Sequence, residues 1–182
     1  MRWFWIDRFT EFESGRRATG VKNISLAEEH MHDHFPGMPL MPHSLVIEGI
    51  AQTGGLLVGE WSDWRERVVL AKIAKAKFHG YARTGDTLIY EADILDISND
   101  GALTKATGYV QRPGSTEREL YAEVEMFFAH LSETRDQELF VASEFAAMLR
   151  CLRIFDVGRT ADGQPLKMPA ALHQAEIADS IA

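Results

Sequence analysis

Between His34 and Gln52 the chain reads His-Phe-Pro-Gly-Met-Pro-Leu-Met-Pro-His-Ser-Leu-Val-Ile-Glu-Gly-Ile-Ala-Gln, and no other stretch restricts the fold as much. Pro36, Pro39 and Pro42 each lock their own φ within residues 34–42, and three such positions predict a rigid loop. A helix is predicted over 43–60, with Ser44 helping to cap its start. That helix is apolar on nearly every side, which argues for burial. Gly49, Gly54, Gly55 and Gly59 each cost it about 1 kcal/mol relative to alanine. Glycines tolerated at that cost imply that another element packs very close, and a curved sheet wrapped around the helix would fit. One carboxylate, Glu48, stands among Leu45, Val46, Ile47 and Ile50, where a charge is costly unless it has a partner or a task. The loop before it holds His34, a residue type suited to acid/base work.

The rest of the chain supplies the sheet. Residues 2–10 read as an extended opening, Glu13-Ser14-Gly15-Arg16 as a turn and residues 17–25 as a strand, with a short helical turn at 26–30. Strands are predicted at 68–78, 87–98, 103–111 and 118–130, separated by turn signals at Gly85-Asp86, Asn99-Asp100-Gly101 and Pro113-Gly114. In the last strand Leu120, Ala122, Val124 and Met126 are expected on one face. One helix against a run of antiparallel strands is an α+β domain, placed at residues 1–130. Residues 131–182 read as a C-terminal extension. It holds an amphipathic helix at about 136–155, with Val141, Phe145, Met148, Leu149, Leu152 and Phe155 as its stripe. An irregular tail with an Ala-rich end follows.

The 182 residues are 46% hydrophobic and 25% charged, as in soluble globular proteins. A net charge of −8 argues against nucleic acid as a partner. The apolar run 44–59 is broken by Glu48 and Gln52 and is too short for a membrane span. The N-terminus does not read as a signal peptide, and the one cysteine, Cys151, fits a reducing compartment, so the cytoplasm is expected.

The order His34, Phe35-Pro36, Pro39, Met41-Pro42, Glu48, Ala51-Gln52 resembles the 3-hydroxyacyl-(acyl carrier protein) dehydratases of fatty-acid synthesis, a hotdog-fold family. Ile6-Asp7-Arg8, Val21-Lys22-Asn23-Ile24, Lys77-Phe78 and Gly85-Asp86-Thr87-Leu88 extend the likeness over roughly residues 4–130. The resemblance implies an antiparallel sheet around a central helix, no cofactor, and dehydration of 3-hydroxyacyl thioesters on acyl carrier protein. It implies a homodimer in which His and Glu meet across the interface, with trimers of dimers also found in the family. It makes His34 the general base and Glu48 the acid or water-orienting group. His43 would contribute its backbone N–H to the thioester oxygen. Ser44, Gln52, Phe35, Pro36 and Tyr81 are counted with the substrate-binding residues. The chain departs from the family at His43 and Asp33, where glycines are usual, and at Tyr81 and Thr84, where prolines are frequent. The His43 side chain is a candidate to crowd the channel, and Asp33 a candidate to raise the basicity of His34 or reorient its ring.

Dehydration needs a base for a weakly acidic α-proton, a proton donor for departing hydroxide and a fixed donor for the enolate oxygen. A loop imidazole, a carboxyl in an apolar channel and a helix N-terminus supply these in turn. Two other readings compete: a hotdog thioesterase using a carboxylate to activate water, and a non-catalytic acyl-binding protein. His30, His32 and His34 alternate in sequence, but no further ligand cluster supports a metal site, and none is expected. Lys72, Lys75, Lys77 and Arg83 read as a solvated strand face, with an acidic carrier protein as the alternative partner.

Overall fold

The computed structural model describes residues 4–131 and 141–181. The extended opening is a strand in its own right, β1 (Arg8–Glu13), which turns at Gly15 and pairs with β2 (Arg17–Asn23). A single-turn helix, α1 (His30–Asp33), and the proline loop lead into α2 (His43–Glu60). Four long antiparallel strands follow: β3 (Arg67–Phe78), β4 (Thr87–Ser98), β5 (Gly101–Gln111) and β6 (Glu119–Leu131). The C-terminal extension contributes α3 (Ala142–Cys151), α4 (Ile154–Val157), β7 (Gly158–Arg159) and α5 (Ala170–Ile181). The strands form one sheet in the order β3-β6-β5-β4-β2-β1-β7, antiparallel except where β7 runs beside β1. No described helix is long and apolar enough to cross a membrane.

The sheet curves around α2. Val46, Ile50 and Leu57 of the helix are wholly buried, as are Leu88 and Tyr90 of β4 and Met126 of β6. Each such side chain contributes about 1.5–3 kcal/mol on burial. The close approach expected from the helix glycines is present. A Cβ on Gly49 would lie 2.7 Å from the Trp5 carbonyl oxygen and 2.7 Å from the Tyr90 ring. Opposite, a Cβ on Gly20 of β2 would lie 2.5 Å from Thr53 Oγ1. The missing side chains are what allow helix and sheet backbones to meet.

Three expectations are corrected. Leu120 does not share the face of Ala122, Val124 and Met126: it is 46% exposed, while Tyr121 is buried. The β5–β6 register slips between Gly108 and Tyr109, so Tyr121 is an extra residue in the ladder and the alternation resets there. The expected 136–155 helix is also different. Residues 132–140 lie outside the described residues, Val141 is extended, and the helix beginning at Ala142 stops at Leu152. Arg153 turns left-handed at φ 62°, and the Leu152 carbonyl accepts the Phe9 N–H of β1 at 2.8 Å. The remainder is not irregular. Gly158–Arg159 adds to the sheet, and α5 begins directly after Pro169, a residue suited to helix starts. Met148, Leu149 and Leu152 of the stripe join the main core together with Ile154, Phe145 and Phe155 pack half-buried against it, and Val141 stays 49% exposed.

Gly49→Ala should destabilise the fold by about 1–3 kcal/mol, because the new methyl has backbone and a ring in its way. Gly54→Ala is the control: its Cβ would meet nothing closer than 3.4 Å, so the gain in helix propensity should leave stability equal or about 0.5–1 kcal/mol higher. Urea unfolding of the two variants checks the contrast, and equal destabilisation would contradict this account of the helix–sheet contact.

Candidate active site

His34 follows α1 and opens the proline loop. Its carbonyl accepts the Leu40 N–H at 2.9 Å, and its Nδ1 lies 3.1 Å from the Leu40 carbonyl. A carbonyl can only accept, so Nδ1 carries the proton and Nε2 of the neutral ring keeps its lone pair. The loop is tied down beyond this pair. Phe35 and Met38 exchange backbone hydrogen bonds, and Met41 N–H donates to the Ala82 carbonyl at 2.9 Å. Phe35 stacks on the His34 ring with centroids 4.3 Å apart and is otherwise 52% exposed, and Pro36 beside it is exposed.

Helix α2 starts where the loop ends. Pro42 is its N-cap and gives no side-chain cap, so Ser44 lies one position inside the helix and does not cap it. Leu45 and Val46 both donate to the Pro42 carbonyl, whereas no described residue accepts from the N–H groups of His43 and Ser44. Two unfilled donors at the positive end of a long helix form a ready site for a developing oxyanion. One turn on, Glu48 is exposed on the outward face of α2, not enclosed as its apolar neighbours suggested. Of those neighbours Val46 and Ile50 turn inward while Leu45 and Ile47 are half-buried, and the helix leaves 44, 48 and 52 on the outward side. Gln52 Oε1 accepts the Trp5 N–H at 2.9 Å, which fixes the amide so that Nε2 donates to Glu48 Oε1 at 3.0 Å. No hydrogen bond or ion pair joins His34 to Glu48 within the chain.

Two of the four departures from the family pattern, His43 and Asp33, make no hydrogen bond to the His34 ring. The His43 ring stacks on Phe78 at 3.9 Å, nearly parallel, and donates Nε2–H to the Gly80 carbonyl at 3.2 Å. Tyr81 continues the stack at 5.7 Å and is 58% exposed. The side chain is therefore parked against the end of β3. Asp33 makes no hydrogen bond to His34, whose ring is oriented by Leu40 instead. His30, His32 and His34 do not line one side of an extended segment. His30 and His32 lie in α1 and face Glu28 and the Leu26 carbonyl respectively.

Two supporting networks escaped the sequence reading. Beneath α1, Lys22 is buried and its ammonium meets Asp7, the Asn23 carbonyl and Glu28, while Glu28 also reaches His30 at 3.4 Å. Burial holds His30 below its ordinary value of 6.5; Lys22 and His34 add to that, and Glu28 opposes it. Behind the loop, buried Asp86 accepts from the Arg83 N–H at 2.8 Å and from Arg112 Nη1 at 2.7 Å. Arg112 also reaches the Tyr81 carbonyl and Glu119. Above them Tyr121, desolvated in the core, has its hydroxyl pushed up to about 12. Lys22 lies in a strand that also carries Arg17, Thr19 and Asn23, so nothing local in the sequence marks it as buried. On β3, Lys75 and Lys77 stand across from Glu125 and Glu123 of β6, which favours the solvated-face reading of those lysines.

Residues 3–118 match a FabA-like domain. A 3-hydroxyacyl-(acyl-carrier-protein) dehydratase FabZ from Desulforamulus reducens is 38% identical over 125 residues, covering 68% of this chain and 84% of the relative. The protein of that name from Caldicellulosiruptor saccharolyticus is 34% identical over 125 residues, covering 68% and 85%. Among solved structures, smu.793 from Streptococcus mutans UA159, bound to acetyl CoA, superposes with a TM-score of 0.57 at 12% identity, over 74% of this chain and 96% of that one. A thioesterase family protein from Silicibacter pomeroyi gives 0.57 at 16% identity, over 68% and 83%. At such identities the structures share the fold alone. The chain belongs to the FabA-like family of 3-hydroxyacyl-(acyl carrier protein) dehydratases, and its fold is the hotdog fold.

The suppressed protonation of His30 has a consequence for stability. Below pH 6.5 the unfolded chain takes up a proton on this ring that the folded chain resists, so His30 lowers stability as the pH falls through that value and beyond. His30→Phe keeps a ring against Trp5 and should flatten part of the acid-side decline. Urea midpoints of the wild type and variant at pH 7.5 and 5.5 test this; an unchanged difference between the two pH values would contradict it.

Proposed function

We propose that this chain dehydrates 3-hydroxyacyl thioesters carried on acyl carrier protein to trans-2-enoyl thioesters, in fatty-acid biosynthesis in the cytoplasm. The family match and the curated relatives support the reaction class. The observation that carries the residue assignment is the His34–Leu40 hydrogen bond, which commits Nδ1 as a donor and leaves Nε2 as a base.

In this reading His34 Nε2 removes the proton on C2 of the substrate. The electron pair moves onto the thioester oxygen, where the unfilled N–H groups of His43 and Ser44 stabilise it. The pair then returns to form the C2–C3 double bond as the C3–O bond breaks. The departing hydroxyl takes a proton from Glu48 and leaves as water. Transfer of the proton from His34 back to Glu48 restores the enzyme. Only protons and one C–O bond are involved, so no electron carrier enters. Gln52 keeps the Glu48 carboxyl aimed, and Phe35, Pro36 and Tyr81 border the approach.

The same reading takes two copies of the chain to build a site. Glu48 lies on an outward helix face with apolar neighbours, and β3 is an edge strand twelve residues long, with Leu70 and Ile73 partly exposed on it. A second protomer pairing along β3 brings its Glu48 towards His34 and removes both groups from water, which favours the neutral carboxyl that the mechanism needs.

His34→Ala and Glu48→Gln should each lower dehydration by about 10²-fold or more while leaving the fold intact. Product analysis on a 3-hydroxyacyl thioester separates the candidates: an enoyl product supports dehydration, free thiol a thioesterase, and neither a binding protein. Mixing the two inactive variants under conditions of subunit exchange should restore activity through heterodimers with one intact site. No recovery after verified exchange would overturn the shared site.

A further inference from the structure

We propose that the C-terminal extension forms the far wall of the acyl-chain groove and sets the chain length that the enzyme accepts. This rests on the dehydratase reading and goes beyond it, because the family match ends at residue 118, before the extension begins.

A groove of about 590 Å³ opens beside Glu48 and Gln52 and runs along α2 past Gly55 and Leu56. That volume lies within the range used for small-molecule ligands, roughly 300–1,000 Å³. Glu48 and Gln52 line it with polar groups, as do Arg65, Glu66 and Arg67, while Leu56, Trp64 and Phe128 supply apolar surface. An acyl chain whose reacting carbons lie at Glu48 has to leave that carboxyl, and this groove is the apolar surface continuous with it. The opposite wall does not come from the hotdog core. Phe145 of α3, Leu152 at its end and Leu172 of α5 supply it.

This wall is fixed in place. Ala146 and Leu149 on α3 are wholly buried, and Leu152 is tied through its carbonyl to the Phe9 N–H of β1. Helix α5 rests on α3, where Arg150 reaches Met168 and the His173 ring. Phe145 and Leu172, by contrast, are only half-buried, so each keeps apolar surface to offer a ligand. Rigid backing with residual apolar surface facing a groove is the arrangement that measures a chain. A hydrophobic pocket that gains or loses one methylene discriminates by about 10–200-fold.

The test uses the full chain and reads the ratio of kcat/KM for a long (C14) over a short (C4) 3-hydroxyacyl thioester. Leu172→Trp fills the groove and should lower that ratio at least tenfold. Phe145→Ala enlarges it and should raise the ratio severalfold. Damage to the fold alone would not move the two variants in opposite directions. Ratios within twofold of the wild type in both, with melting temperatures showing that they fold, would overturn the proposal; if Leu172→Trp fails to fold, Phe145→Ala decides alone. Calorimetric titration with non-hydrolysable acyl-pantetheine thioethers of increasing length gives a second measure that needs no turnover. Affinity should rise with length in the wild type and stop rising sooner in Leu172→Trp. Absence of dehydration by the wild type would sink the dehydratase reading, whereas the titration still decides whether the extension walls an acyl groove.

Discussion

The contact between α2 and the sheet governs everything else in this molecule. Gly20 and Gly49 allow the two backbones to come closer than any Cβ would permit, and the helix thereby sinks until Val46, Ile50 and Leu57 vanish into the core. Once that depth is set, helical geometry assigns the remaining positions. Residues 46, 49, 50, 53 and 57 face the sheet, so Ser44, Glu48 and Gln52 face outward. The placement of the carboxylate is thus a consequence of packing on the other side of the helix. The start of α2 is set by Pro42, where the loop ends, and with it the two unfilled N–H groups at His43 and Ser44.

Around that helix start the chain spends its buried charges on holding loops still. Asp86 and Arg112 brace the segment carrying Tyr81 and Ala82, which in turn receives the Met41 N–H of the proline loop. Lys22 and Glu28 brace α1, whose last turn delivers the His34 N–H to the His30 carbonyl at 3.2 Å. Breaking one partner of such a buried pair leaves the other charge uncompensated, which is why these networks act as fasteners even where their net contribution to stability is small. The loop gains on both sides the rigidity that the proposed general base at His34 requires.

How much of this was legible in the sequence depended on whether the signal was local. The proline loop and the helix at 43–60 were read with their observed bounds, because prolines and an apolar run act on neighbouring residues. The helix glycines correctly announced a close neighbour, since their cost has to be recovered by packing. The resemblance carried the fold class. Failures were non-local. The bulge at Tyr121 that moves Leu120 outward arises from pairing with β5, and the stop at Leu152 arises from a hydrogen bond to β1, more than a hundred residues away in the chain. The outward position of Glu48 was missed because its apolar sequence neighbours were taken as its spatial surroundings. In a helix, adjacent residues point about 100° apart, and the company that matters is at i±3 and i±4.

The extension bears on assembly as well as on the groove. A sheet with two open edges can add copies at both and propagate, whereas one open edge related to itself by a two-fold axis closes after a single pairing. Here β1 would be one such edge, but β7 lies along it at Phe12 and Glu13, and the Arg159 carbonyl takes the Ser14 N–H at 2.8 Å. Parallel pairing of two residues is a weak addition in itself; its effect is to occupy the hydrogen-bonding groups and to bring α4 over that side of the sheet. Among the described strands this leaves β3 as the edge that is long and free of any such cover. In the proposed dimer the capped edge and the open edge therefore act together: the cap prevents indefinite growth, and the open strand aligns the partner so that an outward-facing carboxylate reaches a loop histidine on another chain. A segment outside the family match thus works towards the geometry of the proposed shared site.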